Sequence, residues 1–176
     1  MTDIPFEAPP RSGDSIEELA DAIRKAFGLH ERPFFPVVQF LEFGLPQIVP
    51  DMFYDVQSKL QLGGREGAVD PIKRAIYIRE DVYDAAVRHN HRARFTLAHE
   101  TGHAVMHVGT LNRVLPRQAI PTFRQPEWQA NRFAGALLMP RRLVSQCGSL
   151  ADISDTFGVS QQAALVRVRE LKLRIA

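Results

Sequence analysis

The sequence predicts an α+β fold: a small sheet of about three strands packed on a helical core, followed by a helical tail. Three observations predict it. Apolar residues recur at helical spacing over 16–27 and again over 91–108. Extended, β-rich runs are confined to the middle of the chain, between glycines. The last third returns to helical spacing with short turns. At 176 residues, 45% hydrophobic and 24% charged, the chain has the size and composition of a single globular domain, 1–176.

Residues 1–14, with Pro5, Pro9, Pro10 and Gly13, read as a flexible arm. Ser15-Ile16-Glu17-Glu18 has the form of a capping box, and Ile16, Leu19, Ala20, Ile23 and Phe27 mark one face of the helix it opens. Gly28 suits its stop. A short helix is expected over Val37–Phe43, after Pro36 and before Gly44, and residues 46–54 read as extended. Gly63, Gly64 and Gly67 mark turns, and Ala75-Ile76-Tyr77-Ile78 reads as a strand. Residues 81–88 predict a short helix and 91–108 a long one, which Gly109 can end. Pro116, Pro121 and Pro126 make 110–126 a loop. A helix is expected from Glu127 to Leu138, stopped at Met139-Pro140. The tail, 141–176, divides into helices at about 141–146, 149–157 and 160–172, with a helix-turn-helix-like rhythm.

Charge is uneven. Residues 1–88 carry net −5 and residues 89–176 net +7, so the second half favours an anionic partner surface or simply presents a solvated arginine-rich face. No apolar run approaches the roughly 20 residues of a membrane span. The beginning of the chain has no secretory pattern, and Cys147 is the only cysteine, so a cytoplasmic protein without an internal disulfide or membrane association is expected.

The long helix contains His99-Glu100-Thr101-Gly102-His103, which matches H-E-x-x-H. Residues four apart share a helix face, with Cβ atoms about 6 Å apart. Two imidazoles so placed can close on one metal ion, and Glu100, rotated about 100° from His99, can reach a water at that ion as general base. A catalytic site needs a third protein ligand. His107 lies about 12 Å along the axis from His99 on a continuous helix, too far for the same ion. The glycine that turns the chain in longer versions of the motif would stand at position 106, which is Met106. His107 therefore reads as a packed residue or one that supports a ligand.

The acidic residues after His103 are Glu127, Asp152, Asp155 and Glu170. Glu127 opens the next strong helix after a loop long enough to return antiparallel. Asn131, one turn on, can hydrogen-bond a ligand. Asp152 and Asp155 read as surface residues. The metal set is His99, His103 and Glu127. Gly102, costly inside a helix, suggests close approach of another element, a strand or the Glu127 helix. Tyr77, Tyr83 and His107 are candidates for the donor that would stabilise an oxyanion.

At this point the residues resemble a known family. Arg94-Phe95-Thr96-Leu97-Ala98 leading into the motif, with His107 after it, looks like the central helix of the ImmA/IrrE metallopeptidases. Glu127-Trp128-Gln129-Ala130-Asn131-Arg132-Phe133-Ala134-Gly135-Ala136-Leu137-Leu138-Met139-Pro140 is similar to that family's second signature, and the tail, with Phe157-Gly158-Val159-Ser160 and Arg167, is similar too. One departure is Thr101, where the family often has a larger apolar residue. The resemblance implies a zincin-like peptidase domain and zinc as cofactor, with manganese also compatible with these ligand types. It implies hydrolysis of separately encoded XRE-type helix-turn-helix repressors or antitoxins, switching on stress, phage or mobile-element genes. Two other readings stand beside it. The metal site could serve a non-cleaving module that grips such a regulator. Residues 149–172, with Arg167, Arg169, Lys172 and Arg174, could touch DNA, although the same spacing describes any packed helix pair.

Overall fold

The computed structural model describes residues 6–113 and 119–175. Residues 1–5, 114–118 and 176 fall outside that range, and with them Pro5 of the expected arm and Pro116 of the expected loop. In chain order the elements are β1 (Phe6–Glu7), α1 (Gly13–Ala26), α2 (Val37–Gln39), a π-helical turn (Phe40–Gly44), α3 (Leu45–Ile48), β2 (Phe53–Gln57), α4 (Lys59–Leu62), β3 (Gly67–Asp70), β4 (Ala75–Arg79), α5 (Glu80–Val87), α6 (His91–His107), β5 (Asn112–Arg113), a 3-10 turn (Thr122–Arg124), α7 (Pro126–Leu138), α8 (Arg141–Val144), α9 (Leu150–Phe157) and α10 (Gln161–Leu171). The fold is α+β. A three-stranded sheet in the order β2-β4-β3 has β2 parallel and β3 antiparallel to the central strand, and β1 pairs antiparallel with β5.

The strand order exposes two edges, β2 and β3, and turns Ile76 and Ile78, both fully buried, toward the helices. Gly67 pairs with Ile78, so it faces the same way, whereas Tyr77, paired with Ala68, projects from the opposite face of the sheet. α6 and α7 form the centre of the helical layer. A side chain at Gly102 would meet Phe133 Cδ1 at 3.0 Å and the Ala130 backbone at 3.3 Å, so glycine is what lets α7 lie against α6. α1 covers the other flank of α7 with its buried face, Ile16, Ala20 and Ile23.

Buried arginines tie the layers together through backbone oxygens. Arg94 on α6 donates to Phe35 O, Phe157 O and Gly158 O, which fastens the end of α9 to the central helix. Arg167 on α10 donates to Met139 O at 2.9 Å and to Glu17 on α1. Arg167 is thus an interior residue and not one of the surface groups that the DNA reading of residues 149–172 requires. Asp152 and Asp155 are exposed, as their spacing predicts.

Three local expectations are corrected. The arm is packed over its described residues: Ala8 is fully buried and donates its N–H to Arg124 O at 2.8 Å, and Arg11 N–H donates to Phe123 O at 3.1 Å. Pro9 and Pro10 have no N–H to satisfy, so the strap can lie against the 119–125 loop at no cost in unpaired donors. The cap of α1 is Ser12, whose hydroxyl accepts from Ser15 N–H at 3.1 Å, three residues before the expected start. Asp14 then sits in the first turn, where the helix dipole favours it. Residues 45–48 are helical and the strand begins at Phe53. Pro46 falls in the first turn of α3, where a missing N–H breaks no bond. Among the described residues no helix is long and apolar enough to cross a membrane.

Candidate metal centre

α6 is opened by Asn90, whose side chain accepts from Ala93 N–H at 3.0 Å, and runs unbroken to His107. Its regular geometry stacks His99 and His103 one turn apart, ring centroids 4.7 Å from each other. α7 brings in Glu127 from its first turn. The three side chains converge. His99 Nε2 and His103 Nε2 are 3.0 Å apart, and each lies 3.2 Å from one oxygen of Glu127. Ligand atoms around a tetrahedral ion with bonds of 2.0–2.1 Å are separated by about 3.3 Å, so these spacings fit a small divalent metal. Together they are the cluster of His99, His103 and Glu127 whose ligand atoms lie within 4.8 Å of one another.

Hydrogen bonds behind the histidines decide what their inner nitrogens offer. Gln129 Nε2 donates to Pro9 O at 2.9 Å and to Phe123 O at 2.8 Å, which fixes the direction of the amide. Its Oε1 is left to accept from His107 Nε2–H at 2.9 Å. Burial drives the His107 pKa down to about 4, against the opposing pull of Gln129, so this ring is neutral and its Nδ1 is an acceptor. His103 must therefore donate from Nδ1 across 2.9 Å, and its Nε2 keeps a bare lone pair. On the other side His99 Nδ1–H donates to Asn131 Oδ1 at 2.9 Å, which leaves its Nε2 bare as well. Two imidazole lone pairs and a carboxylate at these distances call for a cation. The site's preference for positive charge shows in the titrating groups too: the nearness of His103 and His99 holds the Glu127 carboxyl far below the usual carboxylate range, so it stays an anion. Burial opposes a proton on His99, yet Glu127, Glu100 and Asn131 together outweigh it and raise its pKa.

Glu100 lies beside the cluster, nearly buried, with its pKa raised chiefly by desolvation and further by Glu127, against the pull of both histidines. Edge strand β3 holds it there. An added Cβ at Gly67 would stand 2.7 Å from Glu100 Cγ and 2.9 Å from its Cδ, so only a residue without a side chain leaves the carboxylate its place. Thr96 and Arg92, on the same face of α6, both bind Glu66, the residue just before that strand.

The sequence-derived set is thus placed in one cluster: His99, His103 and Glu127 as the converging ligand atoms, Glu100 next to them and Asn131 behind His99. The oxyanion candidates fare differently. Both nitrogens of His107 are committed, to His103 and Gln129. The Tyr83 hydroxyl donates to Glu42, and Tyr77 projects from the far face of the sheet. Gln129 and Gly67 were not singled out from the sequence. Gln129 had a signal: it lies in one stripe with Phe133 and Leu137, all fully buried, and a lone polar residue in a core stripe needs a dedicated partner.

A protein-family model described as the IrrE N-terminal-like domain of a peptidase family matches residues 82–169, half of the chain. The matched span contains every metal-site residue together with His107, Gln129 and Asn131, and leaves out Pro9 and Gly67. No curated protein matches the chain.

Proposed function

The chain belongs to the peptidase family described as IrrE N-terminal-like domain, and from that premise we propose that it is a zinc-dependent endopeptidase that cuts a separately encoded helix-turn-helix regulator of the XRE type. The observation that carries the hydrolytic part is the convergence of His99, His103 and Glu127 with a buried carboxylate, Glu100, on the adjacent helix position. Two neutral imidazoles and one carboxylate suit zinc, and when bound it would supply a Lewis acid that polarises the scissile carbonyl and acidifies water.

The remaining chemistry falls to the chain. His99 and His103 present lone pairs because Asn131 and the His107–Gln129 pair take their outer protons. Glu100 accepts a proton from the attacking water as the water oxygen bonds to the carbonyl carbon. It returns that proton to the amide nitrogen as the C–N bond breaks. Its raised pKa brings the carboxylate nearer the working range of a base at neutral pH, so activity should fall as pH drops through a value above that of an ordinary glutamate.

Support for the regulator as substrate comes from the family resemblance, and from the net +7 of residues 89–176, which suits an acidic or exposed loop. The test is incubation with an XRE-type regulator encoded beside this chain, with metal and with chelator. Glu100→Gln should keep the metal and lose cleavage by about 10²–10⁴-fold. Undiminished cleavage by that variant removes the mechanism. An intact regulator bound by metal-loaded protein replaces hydrolysis with a gripping role.

A further inference from the structure

A groove of about 710 Å³ runs between α6, α7 and α10, lined by neighbours of the metal centre rather than by its ligands. Asn131, which holds His99, forms part of its wall, and Trp128, next to ligand Glu127, forms another part. From Asn131 it follows α7 past Gly135 to Met139, eight residues or about 12 Å, the length of three to four residues of extended chain. Phe95, Trp128, Met139, Ala163 and Val166 give it apolar walls, with Val166 45% exposed.

Its charged groups are already matched. Arg92 is paired with Glu66, Arg167 with Glu17, and Glu170 lies 3.5 Å from Arg132 and 3.6 Å from Arg167. A ligand there meets apolar surface and no free charge. Gly135 borders the space: a Cβ at that position would stand 3.6 Å from Arg167 Cδ and 3.7 Å from Glu170 Oε2, already in contact, so a larger side chain there would take up groove volume.

We propose that this groove seats large apolar side chains of the substrate peptide on one side of the scissile bond, which makes the protein selective for bonds flanked by residues such as leucine, methionine or phenylalanine. The proposal rests on the peptidase reading and takes its occupant from adjacency: Asn131, which holds His99, and Trp128, next to Glu127, line the groove, so a chain lying across the metal centre meets this apolar surface beside it. α10, beyond shaping the tail, becomes a wall of the substrate site.

Trp128 is the only tryptophan in the chain and reports on the groove directly. Its emission would be followed in the metal-loaded Glu100→Gln protein, so that no turnover intervenes, while acetyl-Ser-Gly-Leu-Leu-Ser-amide or its Ala-Ala counterpart is titrated in. The leucine peptide should shift the emission, with binding about 10- to 100-fold tighter than the alanine peptide. Val166→Glu, a change at a half-exposed site, and Gly135→Leu, which fills the groove, should each abolish the shift while metal affinity stays unchanged. Equal responses to the two peptides, no response to either, a shift that survives both variants, or a shift produced by protein concentration alone would overturn the proposal. Cleavage mapping separates the two readings. A leucine-dependent shift without cleavage by wild-type protein retains the groove and removes the peptidase. Cleavage of the same bonds at the same rates by wild type, Val166→Glu and Gly135→Leu retains the peptidase and removes the groove.

Discussion

The two histidines of the metal centre are supported in opposite ways. Behind His103 stand His107 and Gln129, both almost wholly buried, and behind those the carbonyls of Pro9 and Phe123. Behind His99 stands a single residue, Asn131, at the mouth of an open groove. The buried side is a chain of directional hydrogen bonds in which every donor and acceptor is assigned, and water cannot substitute for a missing member. The open side is one hydrogen bond that water can replace. On the function proposed above, holding the ion falls to the His103 side and admitting a peptide to the His99 side. Glu100 stands between them, placed by the sheet.

The largest effect expected concerns that middle position. Gly67→Ala puts a methyl group where Glu100 now lies and should displace the carboxylate, with a fall of about 10²-fold in kcat. Metal affinity, measured by chelator competition, should hardly change. An equal loss in both quantities would mean that the sheet supports the ligands as well as the base. Next is the buried side. His107→Ala leaves His103 Nδ1–H and Gln129 Oε1 without partners and should weaken metal binding about 10- to 100-fold. His107→Gln, whose amide can accept from His103 and donate to Gln129, should recover most of it. Asn131→Ala on the open side should cost less than about tenfold, since water takes the place of the amide. If the two alanine variants cost the same, the contrast between the sides is wrong.

The smallest effect expected is on stability against pH. The folded pKa of His107, about 4, lies below its unfolded value, so the unfolded chain takes up the proton first. The stability this group contributes is present above about pH 6.5 and is lost as pH falls toward 4. Between pH 7 and 5.5 the loss is about 1 kcal/mol, or roughly 2–4 °C in Tm. Thermal melts of wild type and His107→Gln should diverge by that amount, and parallel curves would show that His107 is not held neutral by burial.

How far each part was legible follows from how locally it is encoded. His99, His103 and Glu100 come from spacing along one helix, and Asn131 from its distance to Glu127 along another. Gly102 signalled close approach, and α7 is what approaches. The relay was only half readable: His107 falls four residues after His103, but Gln129 answers to Pro9, 120 residues away in the chain. Gly67 constrains Glu100 from a strand whose place at the sheet edge no local pattern states. The turn from Phe40 to Ile48 misled because Pro46 and Gly44, usual helix stops, here sit where a helix tolerates them.

The bond between Gln129 and the Pro9 carbonyl has a bearing on the order of events in folding. It joins the beginning of the chain to α7 and so closes a loop of about 120 residues, a contact of high entropic cost that forms only when most of the domain is in place. Until it forms, the Gln129 amide has lost one of the two carbonyls that orient it, and the lone pair on His103 is less firmly directed. On the proposed metal reading, tight capture of an ion is then a late event that reports completion of the fold, and in a refolding experiment high-affinity metal uptake should trail the appearance of helix.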